Sequence, residues 1–334
     1  MSTDKKNPES PWPHRFAVLL AWAVFPLIWV GGLVTTYDAG MSVPDWPNTF
    51  GDNLLLYPWT TWINEINERW DVFIEHGHRL LGVLVGILTI ALVVAVFRRD
   101  QRRWMRYFSL AVLAAVILQG CLGGARVLLA ERTLAMIHGC VGPSFFAVCV
   151  IVCGVTARWW KDPTAIRHVE SARKLYIFAW STLVLAYMQL ILGAFLRHIS
   201  TSASPGWFSL VVFAHLILAG LVTVTVFLLA WVAWRGRARH ELLRRPAGIL
   251  SILIVCQLVL GGVTWLVNYH WPSLIVDWDV TASFSTIVAK GRLQSLVVTA
   301  HAANGSLILA ASVMLVMRSL RLVRGKSAEV ASVA

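Results

Sequence analysis

The sequence predicts an all-α integral membrane protein of eight transmembrane helices, arranged as two tandem pseudo-symmetric four-helix bundles. Three observations predict this fold class: the composition, the spacing of the apolar segments and an internal repeat. Of the 334 residues, 57% are hydrophobic and only 14% are charged, whereas about 25% are charged in soluble domains. A chain this apolar is expected to lie in a bilayer, where only helices satisfy the backbone of such long segments.

Eight apolar segments are long enough to cross a bilayer, which takes about 20 residues. They cover roughly 16–37, 73–97, 107–130, 133–156, 175–197, 208–234, 247–268 and 293–317. The first follows Lys5, Lys6 and Arg15 and so has the charge pattern of a signal peptide. It is too long for one, and no small-residue cleavage site follows it. We expect it to be retained as a helix.

The positive residues behind the formal net charge of +12 lie mostly in the two termini and in alternate connections between the spans. Of the 29 Lys and Arg residues, 22 lie in 1–15, 98–106, 157–174, 235–245 and 318–334. Positive residues concentrate on the cytoplasmic side of a membrane, so both termini are predicted to be cytoplasmic. The alternation indicates an integral membrane protein and argues against nucleic-acid binding.

The five cysteines all fall inside predicted helices and are expected to be small packing residues without disulfide bonds. They are Cys121, Cys140, Cys149, Cys153 and Cys256.

An internal repeat divides the chain into two similar halves. The motif Gln-x-x-Leu-Gly-Gly occurs at Gln119–Gly124 and again, 138 residues later, at Gln257–Gly262. His78 and His215 are related by an offset of 137. The repeat unit is four helices, so both halves have the same orientation and form parallel repeats. The predicted divisions are a cytoplasmic tail 1–15, a bundle 16–156, a cytoplasmic linker 157–174, a bundle 175–317 and a cytoplasmic tail 318–334.

Each even-numbered predicted helix carries a histidine six to eight residues from its outer end: His78, His138, His215 and His301. At 1.5 Å per residue, all four lie roughly 9–12 Å below the helix starts. Glycines of the odd-numbered helices share that layer. A flat macrocycle between helices needs two axial imidazoles and small residues where its faces approach backbone, and bis-histidine ligation is one way to hold haem iron. Two histidines per half predict two haem positions.

The histidines and glycines alone are compatible with functions other than haem binding. A single intramembrane histidine often only bonds another helix, and paired glycines often serve close helix packing. Zinc or di-iron sites need further carboxylates or thiolates. A dihaem b electron carrier is the main alternative, although such carriers usually hold their haems at different depths. A haem-free transporter is less favoured, because it would be expected to have broken helices at mid-membrane.

One acid distinguishes the two halves. Glu75 precedes His78 by three residues and shares its helix face, whereas Val212 stands at the matching place before His215. A buried acid beside a haem could accept a proton or stabilise positive charge. The N-terminal site is therefore predicted to be catalytic and the C-terminal site an electron-transfer cofactor. The alternative is that Glu75 only pairs with Arg79 or a loop cation.

Several polar residues have weaker assignments. Arg79 and Arg126 are candidates to bind haem propionates through charge-assisted hydrogen bonds. The long outer segment, about 38–72, is predicted to be either a lid or a loop lying at the membrane interface. The remaining histidines are expected at the interface (His76), in outer loops (His198, His270) or in cytoplasmic segments (His14, His168, His240).

Together these motifs resemble the haem A synthase family. The matching features are Glu-x-x-His-Arg at Glu75, His78 and Arg79, the Gln-x-x-Leu-Gly-Gly runs, and the other even-helix histidines. The resemblance covers essentially all of 16–317. It departs from some bacterial members in one respect, since the first outer loop here contains no cysteine pair.

The resemblance implies an oxidoreductase that converts the C8 methyl of haem O to a formyl group, giving haem A. Two successive methyl oxidations would precede loss of water from a gem-diol. It implies that His78 and His138 flank the substrate haem O, that His215 and His301 ligate haem b, and that Glu75 is the essential acid. The site would lie near the outer (periplasmic) face. Expected partners are haem O synthase, cytochrome oxidase assembly factors and the lipid bilayer.

Overall fold

A computed structural model describes residues 10–162, 172–200, 203–235, 241–269 and 291–333. Within these ranges, eight helices are long and apolar enough to cross a membrane, which confirms the predicted number. The long helices are α1 (Trp12–Thr36), α3 (Trp70–Arg99), α4 (Arg103–Leu128), α5 (Arg132–Thr156), α7 (Ala172–His198), α8 (Pro205–Trp234), α9 (Glu241–Tyr269) and α10 (Arg292–Val333); the short ones are α2 (Trp59–Glu68) and α6 (Arg158–Lys161). The described residues form no β-strand.

Local sequence accounts for several helix ends. The side chain of Ser204 accepts a hydrogen bond from the Trp207 amide, and Pro205 occupies the first turn of α8, a common way to start a helix. Arg98 and Arg99 close α3, where positive charge favours the carboxyl end of the helix dipole.

The helices contact one another in two sets of four. In the first set α1, α3, α4 and α5 each pack against two neighbours in a closed ring, and α7, α8, α9 and α10 do the same in the second. Between the sets, α10 contacts α1 and α5, and α5 also contacts α7. In α10, 61% of the most apolar stretch is buried, against 11–33% in the other seven spans. The last helix is therefore central, and the others expose apolar side chains suited to lipid.

Two features differ from expectation. The first outer segment contains helix α2, whose Trp62 stacks on Phe73 of α3 at 5.2 Å between ring centroids and donates a hydrogen bond to its carbonyl. The last helix does not end near residue 317, where the apolar stretch ends, but continues to Val333. The expectations for His168, His240 and His270 concern residues outside the described ranges.

All five cysteines have free thiols, as expected. Cys149 is fully buried in the core of the first bundle, where a small apolar side chain packs well.

The turn between α3 and α4 is held by Asp100, which is 5% exposed. Its carboxylate accepts hydrogen bonds from Nε, Nη2 and the amide of Arg102 at 2.9, 2.7 and 3.0 Å. Arg102 also donates to the carbonyl of Val155 at the end of α5. Burial alone raises the pKa of Asp100, but the hydrogen bonds from Arg102 outweigh it and hold that pKa below its usual value.

Replacing Asp100 with Asn should destabilise the protein at neutral pH by about 1–3 kcal/mol, because charge-assisted hydrogen bonds are lost. Since the folded-state pKa is lowered, the contribution of Asp100 is present above its unfolded pKa of about 3.9 and is lost as the pH falls through the folded value. Thermal unfolding in detergent, followed by helical circular dichroism, should thus show the deficit at neutral pH and a smaller one in acid. The exposed Asp52→Asn is the control; equal deficits in the two variants would contradict the prediction.

Candidate functional site: two histidine pairs

The four histidines form two pairs across facing helices. His78 of α3 and His138 of α5 have ring centroids 6.3 Å apart, with an interplanar angle of 85°. His215 of α8 and His301 of α10 lie 6.4 Å apart, with an angle of 64°. The structure brings together the residues that the sequence assigned to each site. Each of the four histidines lies six to ten residues after the first residue of its helix.

These separations fit two imidazoles that share one metal. A ligating ring nitrogen lies about 2.0–2.1 Å from a metal and roughly 1.2 Å from its own ring centre, so two opposed rings would have centroids about 6.4 Å apart. Among the described residues, His, Cys, Asp and Glu form no group of three or more that could hold an ion. The pairs thus suit a metal that brings its own equatorial ligands, as haem iron does.

Each imidazole lies against a glycine of a neighbouring helix. A Cβ added at the glycine would lie within 2.6–3.3 Å of Cε1 of the ring, too close for an unshifted side chain. The four contacts are Gly31 with His78, Gly123 with His138, Gly193 with His215, and Gly261 with His301. The sequence suggested that these glycines admit the face of a macrocycle; in the structure they admit the ligand rings themselves.

In all four rings Nδ1 is buried and makes no hydrogen bond. An unpaired buried polar atom costs about 1–3 kcal/mol and therefore needs an explanation. The backbone of Leu27, Gln119 and Gln257, each four residues before the glycine, lies near His78, His138 and His301 respectively. A metal-bound imidazole usually directs its second nitrogen to such a backbone carbonyl. Metal binding through Nε2 would therefore account for the buried Nδ1 of these three rings.

The carboxylate of Glu75 lies one turn before His78 and is 2% exposed. One oxygen accepts a hydrogen bond from the Val43 amide at 2.9 Å, and the other pairs with Nη2 of Arg79, also at 2.9 Å. Glu75 therefore forms an ion pair with Arg79 on its own helix. The hydrogen bond from Val43 joins the same carboxylate to the outer segment.

Arg79 is an anchor for the outer segment. Besides Glu75, it donates hydrogen bonds to the carbonyls of Val43, Asp45 and Asn48. Burial alone raises the pKa of Asp45, but hydrogen bonds from the Gly51 and Phe50 amides outweigh it and lower that pKa, which keeps this turn anionic beside the arginine. Propionate binding by Arg79 stays a prediction and would require exchange of these contacts.

His76 is buried beneath the same segment, so the expectation that it lies at the membrane interface is wrong. It is 2% exposed, and its Nδ1 lies 3.0 Å from Oγ1 of Thr49. Its ring also packs against Tyr57 and Trp62, at centroid distances of 5.0 and 5.6 Å. Glu75, His76 and Arg79 of α3 all bind the outer segment (about 38–72). We call this segment the cover.

Two further contacts bring the cover to the N-terminal histidine pair. The indole of Trp46 lies against Gly124, next to the glycine that admits His138. Arg126, two residues further along α4, donates to the carbonyl of Gly40 at 3.1 Å. Among the described residues, Arg126 forms no salt bridge; propionate binding by Arg126 stays a prediction.

The C-terminal pair has no counterpart of Glu75. Val212, at the equivalent place, is 7% exposed. Gln257 lies 3.4 Å from Nε2 of His301 and accepts a hydrogen bond from Asn304 at 2.7 Å. The two sites therefore share the histidine geometry and differ in the acid.

Two residues lie near the sites although the sequence did not place them there. His198, expected in an outer loop, is the last residue of α7, and its Nε2 lies against Gly139, next to His138. Arg197 donates hydrogen bonds to the Gly32 carbonyl and to Oγ1 of Thr36, both in α1. The spacing in the sequence could have pointed to Arg197, because it follows Gly193 by one helical turn, much as Arg126 follows Gly123.

The glycine contacts predict a difference between two adjacent residues. Gly261→Ala places a methyl group 3.1 Å from Cε1 of His301, whereas Gly262→Ala meets nothing within 4 Å. Overpacking of this kind costs about 1–3 kcal/mol, so Gly261→Ala should weaken haem retention by roughly fivefold to a hundredfold. Haem per protein and the low-spin absorption spectrum of the purified variants provide the measurement. Equal haem content in both variants would show that the contact does not position the ring.

Comparison with known proteins places the chain in a family. Residues 14–276 match the family model described as cytochrome oxidase assembly protein, a range that includes His78, His138 and His215. The haem A synthase of Symbiobacterium thermophilum is 31% identical over 219 residues, covering 58% of this chain and 70% of that protein. The haem A synthase of Exiguobacterium sibiricum is 25% identical over 290 residues (81% and 92%), and that of Shouchella clausii 24% over 302 residues (88% and 89%). The chain therefore belongs to the cytochrome oxidase assembly protein family, the family of the haem A synthases.

Proposed function

We propose that this protein is a haem A synthase, an oxidoreductase that converts the C8 methyl of haem O to a formyl group and so produces haem A. The observation that carries this proposal is an asymmetry. Two histidine pairs have nearly the same separation, 6.3 and 6.4 Å, but only the N-terminal pair has a buried carboxylate one turn from a ligand. The names of the relatives agree with this reaction.

The C-terminal pair is proposed to hold haem b as a resident electron carrier. His215 and His301 would be its axial ligands, and Gly193 and Gly261 keep their rings in place. Haem b supplies one-electron transfer when bound. Val212 stands in place of an acid beside this pair, which suits a cofactor that exchanges electrons without proton chemistry at its edge.

The N-terminal pair is proposed to hold the substrate, haem O. His78 and His138 would bind its iron, since their separation fits two axial ligands. The outer segment, held by Glu75, His76 and Arg79, lies over this pair and brings Trp46 to α4. A bound cover would exclude bulk water and strengthen electrostatic interactions inside the site.

Glu75 is proposed as the catalytic acid–base residue. Oxidation of a methyl to a formyl group, with water as the source of the oxygen atom, removes protons together with electrons. A positioned carboxylate can accept the protons, and haem b would carry the electrons away to an external acceptor. Arg79 and the Val43 amide each bind one oxygen of the Glu75 carboxylate and so fix its orientation. The same negative charge stabilises positive charge that develops on the substrate carbon as electrons leave.

The histidine positions and the charge bias together support an active site near the outer face of the bacterial inner membrane. Haem O would enter from a haem O synthase, and haem A would leave towards the assembly factors of cytochrome oxidase. The second candidate function is a dihaem b electron carrier. The near-equal geometry of the two pairs favours it, and the single buried acid argues against it.

Glu75→Gln should reduce haem A formation by about 10²- to 10⁴-fold, the usual contribution of a positioned acid–base group. Haem b content should be unchanged, because the C-terminal pair is untouched. The amide still accepts from Val43, which separates loss of charge from detachment of the cover. Extracted haems from cells with a haem O source, separated by chromatography, provide the measurement.

The exposed Glu68→Gln in α2 is the matched control and should retain activity. Wild-type product levels in Glu75→Gln would remove Glu75 from the mechanism.

Single replacements of the ligands should separate the two haems. His78→Ala should abolish haem A while keeping the haem b spectrum, because only the substrate pair is broken. His215→Ala should instead lose haem b. Pigment analysis of both purified variants tests this. Two haem b per wild-type chain, with no haem O or haem A in any extract, would select the electron carrier, and a colourless wild-type preparation would select a haem-free protein.

A further inference from the structure

Arg197 is a charged residue at the contact between the two helix sets. It lies in the last turn of α7 and reaches across to α1, where Nη2 donates to the Gly32 carbonyl and to Oγ1 of Thr36. Its Nε is buried and makes no hydrogen bond. The guanidinium therefore has a donor still to be satisfied.

No protein group neutralises this cation within the described part of the chain. The salt bridges there are Arg69–Asp71, Arg79–Glu75 and Arg102–Asp100. Two other arginines with an unpartnered buried Nε, Arg244 and Arg318, lie over the rings of Trp234 and Trp159. Among the described residues, Arg197 has no such ring. Charged residues inside a membrane are costly and usually have a partner or a function.

The position of Arg197 links it to the C-terminal histidine pair by two routes. It follows Gly193, which admits His215, by one helical turn towards the outer face. Its partner Thr36 lies 3.3 Å from Oγ1 of Thr299, a fully buried residue two positions before His301. Arg197 is also within electrostatic range of His301. The cation thus lies just outside the layer of the proposed haem b ligands.

We propose that Arg197 binds a propionate carboxylate of the haem held by His215 and His301. A haem held at that pair carries two carboxylates on one edge, and a carboxylate is the group that arginine pairs with best. Pairing removes the cost of a buried, unneutralised charge. The hydrogen bonds to α1 position the guanidinium, because they occupy Nη2 and leave Nε available.

This assignment has a counterpart in the other half. Arg126 follows Gly123 by one turn, on a helix of the N-terminal set, and forms no salt bridge with any described carboxylate either. Each histidine pair thus has an arginine one turn nearer the outer face, which would direct the propionates of both haems outwards. The inference rests on the proposed haem b site and does not depend on haem A synthesis.

The test is the pH dependence of the haem b midpoint potential in Arg197→Gln, purified as the full chain from cells without haem O. A freed propionate stabilises ferric haem, so the potential should fall by at least the 59 mV that corresponds to a tenfold change in a one-electron equilibrium. As the pH is lowered, the freed carboxylate takes up a proton and the potential should rise again. Wild type should show little such dependence. His198 is next to Arg197 in the chain, and His301 is a ligand in the haem-loaded protein. Both proteins are therefore compared in a His198→Gln background, so that His198 cannot contribute to the pH dependence.

Arg318→Gln is the matched control. It removes the same charge and the same unpartnered Nε on α10, but 17 residues from His301, or about 25 Å along the helix. Its potential should follow that of wild type. A lower potential in Arg197→Gln without new pH dependence would mean that the cation acts by charge alone, and an unchanged potential would place Arg197 away from the haem; either result overturns the proposal.

If Arg197→Gln does not retain haem, Arg197→Lys decides the question. Wild-type apoprotein should bind haem b at least tenfold more tightly than haem b dimethyl ester, in which both propionates are esterified. Arg197→Lys should show a smaller preference for haem b over the ester. Equal preferences would overturn the proposal. Haem A formation, measured in the same preparations, tests the proposed function separately: haem b binding without haem A formation would reject that function and leave this inference standing.

Discussion

The contact between a glycine and an imidazole ring is the constraint on which the rest of this structure depends. It occurs four times, and each time the missing side chain gives the ring room beside the neighbouring helix. Since a Cβ there would lie within 3.3 Å of the ring, the glycine lets the helices approach and determines where the imidazole lies. The two pairs consequently reach almost the same separation, 6.3 and 6.4 Å, although their helices differ in sequence.

A second constraint is that charges within a bilayer need partners. In the N-terminal half, Glu75 and Arg79 satisfy each other and then bind the backbone of the outer segment. The ion pair is thus both part of the candidate catalytic site and the attachment of its cover. His76 adds a third attachment through Thr49. One polar cluster at the start of α3 therefore couples the closure of the site to its chemistry.

The two halves diverge around a shared frame. Both keep the paired histidines and the glycines that make room for their rings. Among the described residues, the acid and the cover belong to the N-terminal half, whereas the C-terminal half has Val212 and an amide network at the equivalent layer. Arg126 and Arg197 stand one turn further out, on helices that are not equivalent in the repeat. Within the described residues, the two sites therefore differ in their polar groups on a common histidine geometry.

The sequence by itself determined the helix number, the histidine of each even-numbered span and the singular position of Glu75. Those features depend on local composition, on the length needed to cross a bilayer and on a repeat visible in the chain. Only the tertiary structure decided that glycines admit imidazoles, that His76 is buried, and that Arg197 reaches α1. These contacts join residues far apart in sequence, such as Gly31 with His78 and Thr36 with Arg197, 161 positions apart. Such pairs have no local signature, because they arise when separate helices pack together.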